Sequence, residues 1–371
     1  MIPAEIRAST LHKLMNCLGY YSLNNINESE AGDAAKEGTA CGELLSAMIM
    51  QQTDKPQVDR VASNGVIFDD DMWFYAKETY HDVLKSAQGS PISTEVRVDW
   101  MGGKSGIKIR GQYDISYIVG DTLYVEDLKY GFGIVDVERN WQLIAYAIGL
   151  CFMYDSNYKW RPNKIHFKIH QPRPYHEQGK IRSWVITHDE LIGLHGEITN
   201  RLTALVSGDK TLSTTLKSCK YCEGAAECPA LNRSFYKSVH TVMQDWEDKE
   251  LTNDELSDLL ATYENIKSLV DIKGKSLQNL AIARLQKGQV INGYAYEQKF
   301  GDRKWRDDVD PSLIQMMTGI DIIKPTVLSP AQAEKAGVHK SIIAGMVTKP
   351  SKGLDLVKSN NLEKARKVFG G

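Results

Sequence analysis

The sequence lacks an apolar run long enough to cross a bilayer. Its longest, Leu143 to Tyr154, falls short of the roughly 20 residues a spanning helix needs and reads as a buried helix. The opening Met1-Ile-Pro-Ala-Glu-Ile-Arg7 has no apolar core of a secretory leader. Charge of one sign is missing as well: 45 Lys and Arg face 47 Asp and Glu, a net of -2, so no global basic field marks a nucleic-acid binder. That sum does not exclude a local basic groove, because acids clustered elsewhere cancel it. Neither low-complexity tracts nor internal repeats occur, and the composition is that of an ordinary globular chain. No membrane association is expected, and the expected compartment is the cytoplasm. Disulfides rarely persist there, so the six cysteines need another explanation.

What is present is a change of texture along the chain. Residues 1–50 read as helical: Ser9-Thr10 precedes Leu11, Leu14, Met15 and Leu18 at helical spacing, and a second helix is expected over about Ala34 to Met50. From Ile92 to Val137 the pattern becomes that of strands, with turns at Gly102-Gly103 and Gly120-Asp121. A helix over Trp141 to Phe152, a strand over Lys164 to His170 and a helix over His188 to Val206 follow. Strands flanked by helices on both sides predict an α/β core with a central mixed sheet. A polar segment at 207–238 carries a group of cysteines. Beyond it a charged helix pair is expected over about Asn253 to Gln286, then a short β-like patch around Tyr294 to Phe300, then helices. The expected division is a domain over 1–238 and a mainly helical region over 239–371.

The chemistry-bearing pattern is Gly111-Gln-Tyr-Asp114 and, thirteen residues after Asp114, Asp127-Leu128-Lys129. Each segment falls on an expected strand, with a turn between them. Phosphodiester hydrolysis uses one or two divalent cations to bind the phosphate, activate a water and stabilise the leaving oxygen. Magnesium and manganese favour hard oxygen ligands, which Asp114 and Asp127 can supply. The strand period of two puts Asp127 and Lys129 on one face, where the ammonium can orient water or offset transition-state charge. Alone, Asp-x-Lys occurs by chance on many solvated strands; the joint pattern is more specific. Asn140-Trp-Gln142 and Tyr146 follow, and Gln142 and Tyr146, four apart, share a helix face.

Cys219-Lys-Tyr-Cys222 is followed by Cys228 and Pro229, and three cysteines in ten residues of a reducing compartment read as a metal site. Zinc and an iron–sulfur cluster both remain open, and either requires a fourth ligand. Cys151 reads as a small buried residue. Cys41 has no clear assignment.

An acidic residue, then D/E-x-K, then Q-x-x-x-Y resembles the RecB-like branch of PD-(D/E)xK nucleases. The resemblance implies a restriction-endonuclease-like core, metal binding at Asp114 and Asp127, and a Gln142 and Tyr146 that face DNA or brace the site. Glu95, on an upstream strand, is a further ligand that it suggests; an exposed strand-end glutamate is the plainer account. The family's upstream histidine aligns with Gly42 in Gly38-Thr-Ala-Cys41-Gly42-Glu43, so either Glu43 or Cys41 substitutes or the second metal is lost; Glu43 is the expected substitute, because a thiolate is a poor ligand for magnesium. Ala8-Ser-Thr-Leu-His-Lys-Leu-Met-Asn-Cys17 resembles the N-terminal helix of the members with iron–sulfur clusters. It implies Cys17, 202 positions before Cys219, as the fourth ligand of a 4Fe–4S cluster with Cys219, Cys222 and Cys228, and zinc as the substitute. Such a staple contributes roughly 5 kcal/mol if it acts as a covalent crosslink.

Asp127-Leu-Lys-Tyr-Gly-Phe-Gly, Gln171-Pro-Arg173, Cys219-x-x-Cys222, Phe300-Gly-Asp-Arg-Lys-Trp305 and Ser329-Pro-Ala-Gln-Ala-Glu-Lys together resemble a phage-borne family that joins such a nuclease to a helical region. The implied function is a Mg/Mn-dependent exonuclease on DNA ends in phage recombination, working in the host cytoplasm with DNA and a recombination or single-strand-binding protein. A catalytically silent DNA-binding or assembly module of the same fold is the alternative. Arg303, Lys304, Trp305 and Arg306 form a basic-aromatic knot that can contact nucleic acid or simply pack as a turn. Glu297-Gln-Lys299, lacking a carboxylate strand before it, reads as coincidence.

Overall fold

The computed structural model describes residues 2–23, 33–55, 60–243 and 251–294. Two compact units divide the chain, Met1–Tyr296 and Glu297–Gly371, and the second lies outside the described residues. So do the basic-aromatic knot, the Glu297-Gln-Lys299 segment and most of the patch expected around Tyr294 to Phe300.

Six strands form one mixed sheet: β1 (Glu5–Arg7), β2 (Ser93–Met101), β3 (Lys108–Val119), β4 (Thr122–Leu128), β5 (Lys164–His170) and β6 (Ile181–Thr187). β1–β3 and β4–β5 pair in parallel, and β2–β3, β3–β4 and β5–β6 antiparallel. One face carries α1 (Leu11–Asn16), α4 (Trp141–Tyr158) and α5 (His188–Val206), whose apolar residues join Leu123, Val125 and Ile165 in the larger core. The other face carries α2 (Asp33–Gln51) and α3 (Asp70–Ala87), packed on Ile115 and Tyr117. The expected α/β core with a mixed sheet flanked by helices is therefore present. Among the described residues no helix is long and apolar enough to cross a membrane.

Local chemistry explains the boundaries near the site. The Asn140 side chain accepts from the Gln142 and Leu143 backbone N–H groups at 3.1 and 3.3 Å, which starts α4 one residue before Gln142. From Leu143 to Cys151 every residue of α4 is buried, as its continuous apolar run requires. Thr187 and Glu190 close a capping box at α5. The first helix is shorter than expected: Cys17 is extended, at φ -152°, and a 3-10 turn over Leu18–Ser22 follows.

β3 is where the sheet departs from regularity. Ile109 and Tyr113 pack into the α4–α5 core, yet Ile115 and Tyr117, at the same strand parity, pack with α2 and α3. The strand thus exchanges faces at Asp114. Across from it, between the Thr94–Ile115 and Val96–Tyr113 pairs, stands Glu95 at φ 54°, a left-handed conformation that costs a non-glycine residue about 1 kcal/mol or more. Ile109 pairs with Ile6 on the edge opposite Trp100, and Ile115 with Glu126 on the edge opposite Thr94. β1 and β4 therefore share one edge of β3, and residues 111–114 occupy the gap between them.

After α5 come α6 (Leu216–Cys219), α7 (Pro229–Met243) and α8 (Asn253–Gln286). The helix pair expected over Asn253 to Gln286 is one 34-residue helix, because the lone Gly274 costs only about 1 kcal/mol and nothing else in the run ends it. Leu269 and Ile272 of α8 pack with Cys219, Cys228 and Leu231, so α8 belongs to the same compact unit as the cysteine segment and that unit extends past residue 238.

Candidate active site

Asp114 sits in the gap between β1 and β4, where its Oδ2 accepts the Leu128 N–H at 2.9 Å. Asp127, at the end of β4, is almost fully buried, with its Oδ2 2.7 Å from Lys129 Nζ. That contact is an ion pair rather than a well-aligned hydrogen bond, so the oxygen keeps an unused lone pair. Gln142, placed by the Asn140 cap, ties the group together. Its Oε1 accepts from Lys129 Nζ at 3.2 Å, while its Nε2 reaches Asp127 Oδ1 at 3.3 Å and the Tyr146 hydroxyl at 2.8 Å. All five residues of the sequence pattern therefore meet at one place. Gly111 makes room for this: a Cβ there would stand 2.4 Å from Tyr146 Cε1 and 2.9 Å from Ala8 Cβ.

The electrostatics are those of a crowded anionic pocket. Burial, and then the neighbouring Asp127, push the Asp114 carboxyl well above its ordinary 3.8, against the opposing pull of Lys129 and the Leu128 N–H. Burial works against the Lys129 charge, but Asp127 and Asp114 outweigh it and hold the ammonium above its ordinary value. Tyr146 is pushed up by burial and by Asp127, so its hydroxyl stays neutral.

Glu95 is next in the circle. Burial raises its carboxyl, the charges of Asp127 and Glu43 add to this, and a hydrogen bond from Gln112 Nε2 opposes it. Position 42 also faces this spot, since a Cβ on Gly42 would lie 3.7 Å from Glu95 Oε1. Glu43 points elsewhere: its carboxylate accepts the Ser63 N–H at 2.9 and 3.2 Å, in a turn outside the acidic centre. The structure does not bring Glu43 into contact with Asp114 or Asp127.

Behind the sheet lies a group that sequence reasoning missed. Glu126, adjacent to Asp127 and so on the opposite face of β4, accepts from the Tyr117 hydroxyl and sits 2.6 Å from His170 Nε2. Ligand atoms of Asp82, Glu126 and His170 all lie within 4.8 Å of one another, close enough to hold a metal ion. Lys168 Nζ already stands among them, 3.0 Å from Asp82 Oδ2, 3.4 Å from Glu126 Oε1 and 2.6 Å from Ser86 Oγ. Despite burial, the His170 bond and charge and the Lys168 charge hold the Glu126 carboxyl below its ordinary value. The available signal was the polar period-two row Lys164, His166, Lys168, His170 in a strand buried on both faces.

Cys17, Cys219, Cys222 and Cys228 line one small enclosed cavity, together with Tyr20 and Leu23. The extended backbone at Cys17 turns its Sγ toward the Ser213 N–H, 3.5 Å away. Around the cavity Glu223 takes an ion pair from Lys13 and a 2.8 Å hydrogen bond from Tyr20, joining the chain start to the cysteine segment. Burial raises the thiols of Cys219 and Cys222, the latter to about 11, and the cysteines add to each other's shift. Cys41 and Cys151 are buried apart from this cavity, and burial pushes each thiol up to about 12.

The loop after β4 is pinned in place. Gln171 Nε2 donates to the Gly131 and Gly133 carbonyls at 3.1 and 2.7 Å, and buried Arg182 donates to Gln171 Oε1 at 2.6 Å. Arg173 lies against the rings of Tyr130 and Phe132, 4.4 and 4.2 Å from their centroids.

A family described as "Protein of unknown function (DUF2800)" matches residues 4–363. Among solved structures, one titled "Crystal structure of SSO0001" is similar over 59% of this chain and 94% of its own, at 16% identity and a TM-score of 0.25. A score that low supports no inference about fold or site.

Proposed function

The chain belongs to the DUF2800 family, described as of unknown function, and we propose that it is a RecB-like PD-(D/E)xK nuclease: a Mg/Mn-dependent exonuclease acting on DNA ends. The observation that carries this is the single hydrogen-bonded group of Asp127, Lys129, Gln142 and Tyr146 set beside the half-buried Asp114. A structural salt bridge needs one carboxylate for one ammonium. Here Asp114 and Asp127 both act on the one Lys129 ammonium, the Asp127 charge also reaches Glu95, and burial first and then Asp127 keep the Asp114 carboxyl raised.

A divalent cation fits that deficit, and the oxygen donors suit magnesium or manganese. Asp114 and Asp127 would hold it, with Glu95 as the additional ligand. Bound there, it would withdraw charge from the scissile phosphate and make the attacking water more acidic. The chain's own part is positional. Lys129 presents a permanent positive charge toward developing phosphorane charge. Gln142 fixes the Lys129 rotamer and one Asp127 oxygen at once, and Tyr146 buttresses Gln142 from the core. The Asp82–Glu126–His170 group is better suited to bracing β4 from behind, because Lys168 supplies the charge a cation would.

The four cysteines fit a 4Fe–4S cluster, for which zinc is the substitute. Its role is to staple the chain start to the segment 219–228. DNA is the substrate, the cytoplasm (a host's, for a phage protein) the site of action, and a recombination or single-strand-binding protein the associated factor.

Manganese with linear and with closed-circular DNA tests the proposal. Degradation of linear DNA only is expected. Cleavage of both would make the enzyme an endonuclease, and cleavage of neither would overturn the assignment. A silent DNA-binding module is the second possibility, favoured by Gly42 facing Glu95 without a ligand. Cleavage by Gly42→His but not by the natural chain would establish it.

A further inference from the structure

An open cleft of about 640 Å³ runs along β1, β2 and β3 and has Gln112 and Tyr146 among its lining residues. Gln112 donates to Glu95, and Tyr146 accepts from the Gln142 amide that also reaches Asp127. One end of the cleft is therefore only one or two hydrogen bonds from the acidic centre.

Leading away from that end are three arginines. Arg97 pairs in register with Gln112, and Arg7 with Arg110, so they mark strand positions two and four residues before Asp114. At about 3.3 Å per residue these are steps of roughly 7 and 13 Å along the strand. Arg110 is engaged with Glu5 at 2.8 Å, and Lys108 with Asp99 at 3.1 Å. The guanidinium groups of Arg7 and Arg97 have no ion-pair or hydrogen-bond partner among the described residues. Four basic side chains against two acidic ones give the cleft a local charge of +2 (4 minus 2), in a chain whose net charge is -2.

A lone unpaired surface arginine means little. Two of them in one cleft, in line with a site suited to phosphodiester chemistry, are placed to bind a polyanion entering that site. The planar guanidinium fork matches phosphate oxygens in pairs, which a solvated lysine does not. We infer that this cleft is the phosphate track of the DNA strand, with Arg7 and Arg97 each binding one backbone phosphate and delivering the strand to Asp114 and Asp127. This inference rests on the nuclease assignment above for its substrate.

The test is DNA binding by the full chain in calcium, followed by fluorescence anisotropy on a short tailed duplex across a salt series. Each lost phosphate contact lowers the slope of log Kd against log salt by about 0.7 to 0.9. Arg7→Ala/Arg97→Ala is thus expected to weaken binding about tenfold or more at moderate salt and to reduce the slope by about 1.4 to 1.8. Arg7→Lys/Arg97→Lys keeps the charges and is expected to retain most of the slope. If the alanine pair melts early, Arg7→Gln/Arg97→Gln gives the same comparison with the side-chain length kept. An unchanged slope in the neutral variants overturns the inference. So does an equal loss in Arg161→Ala, whose partner is Asp155 at a remote surface. The two ideas fail separately: manganese-dependent cleavage with an unchanged slope removes the track alone. A reduced slope without any cleavage by the natural chain keeps the track and removes the nuclease.

Discussion

Gln142 accepts a hydrogen bond from Lys129 at 3.2 Å with one end of its carboxamide and reaches Asp127 at 3.3 Å with the other. The two halves of the Asp-x-Lys pair are thereby held by one side chain from a different element. Lys129→Ala is expected to lower turnover about 10²- to 10³-fold, the scale for loss of one preorganised transition-state contact. Gln142→Ala, which frees the lysine and one Asp127 oxygen but removes neither charge, should cost about tenfold. Because the two act as a unit, the double variant should lose less than the product of the single losses. Steady-state kinetics on linear DNA would show this, and multiplicative losses would mean that the two act independently.

Gly111→Ala places a methyl group 2.4 Å from the Tyr146 ring and 2.9 Å from Ala8. Overpacking of this kind costs about 1–3 kcal/mol, and displacing Tyr146 should also slow turnover. Gly38→Ala is the contrast, because nothing lies within 4 Å of a Cβ there. As a helical glycine replaced by alanine, it should be neutral or stabilising by up to about 1 kcal/mol. Thermal melting of the two variants side by side checks both expectations.

The raised Asp114 carboxyl sets a pH dependence whose sign is fixed by linkage. Between its ordinary 3.8 and its raised folded-state value, the folded protein holds a proton that the unfolded chain has released. Metal-free protein should therefore lose stability as pH rises through that window. Manganese binding should become tighter over the same range, because the cation displaces that proton. Melting curves against pH, with and without manganese, measure both trends, and Asp114→Asn should flatten the first. A metal-free stability that rises through the window would show that Asp114 does not dominate.

Cys17→Ser tests the staple. Anaerobically purified natural protein is expected to be brown and to carry about four irons per chain, and the variant should lose the iron. Its melting temperature should also fall, consistent with a crosslink worth up to roughly 5 kcal/mol. Cys151→Ser, in the α4 core, should leave the iron content unchanged. Colourless protein carrying one zinc would replace the cluster and leave the staple in place.

Much of the candidate site was legible because it is local. Asp127 and Lys129 two apart on a strand, and Gln142 and Tyr146 four apart on a helix, declare shared faces through backbone periodicity alone. The exchange of faces at Glu95 and Asp114 was not legible. It depends on a glutamate held at φ 54°, a conformation no local preference favours. β1 escaped notice because three residues give no pattern, and its parallel pairing joins positions about a hundred residues apart. α3 carries a legible pattern, with Met72, Ala76, Tyr80 and Val83 at helical spacing behind an Asp69 cap. Cys17 entered only through a family resemblance, since no spacing rule links it to residues two hundred positions away. Glu126 was overlooked beside Asp127, although period two places them on opposite faces and gives them different work.

The most direct test is manganese-dependent degradation of linear DNA by the natural chain and by Asp127→Ala, both shown by melting to be folded. We expect degradation by the first and none by the second. Equal degradation by both, or none by either, would contradict the assignment of Asp114, Asp127 and Lys129 as a nuclease centre.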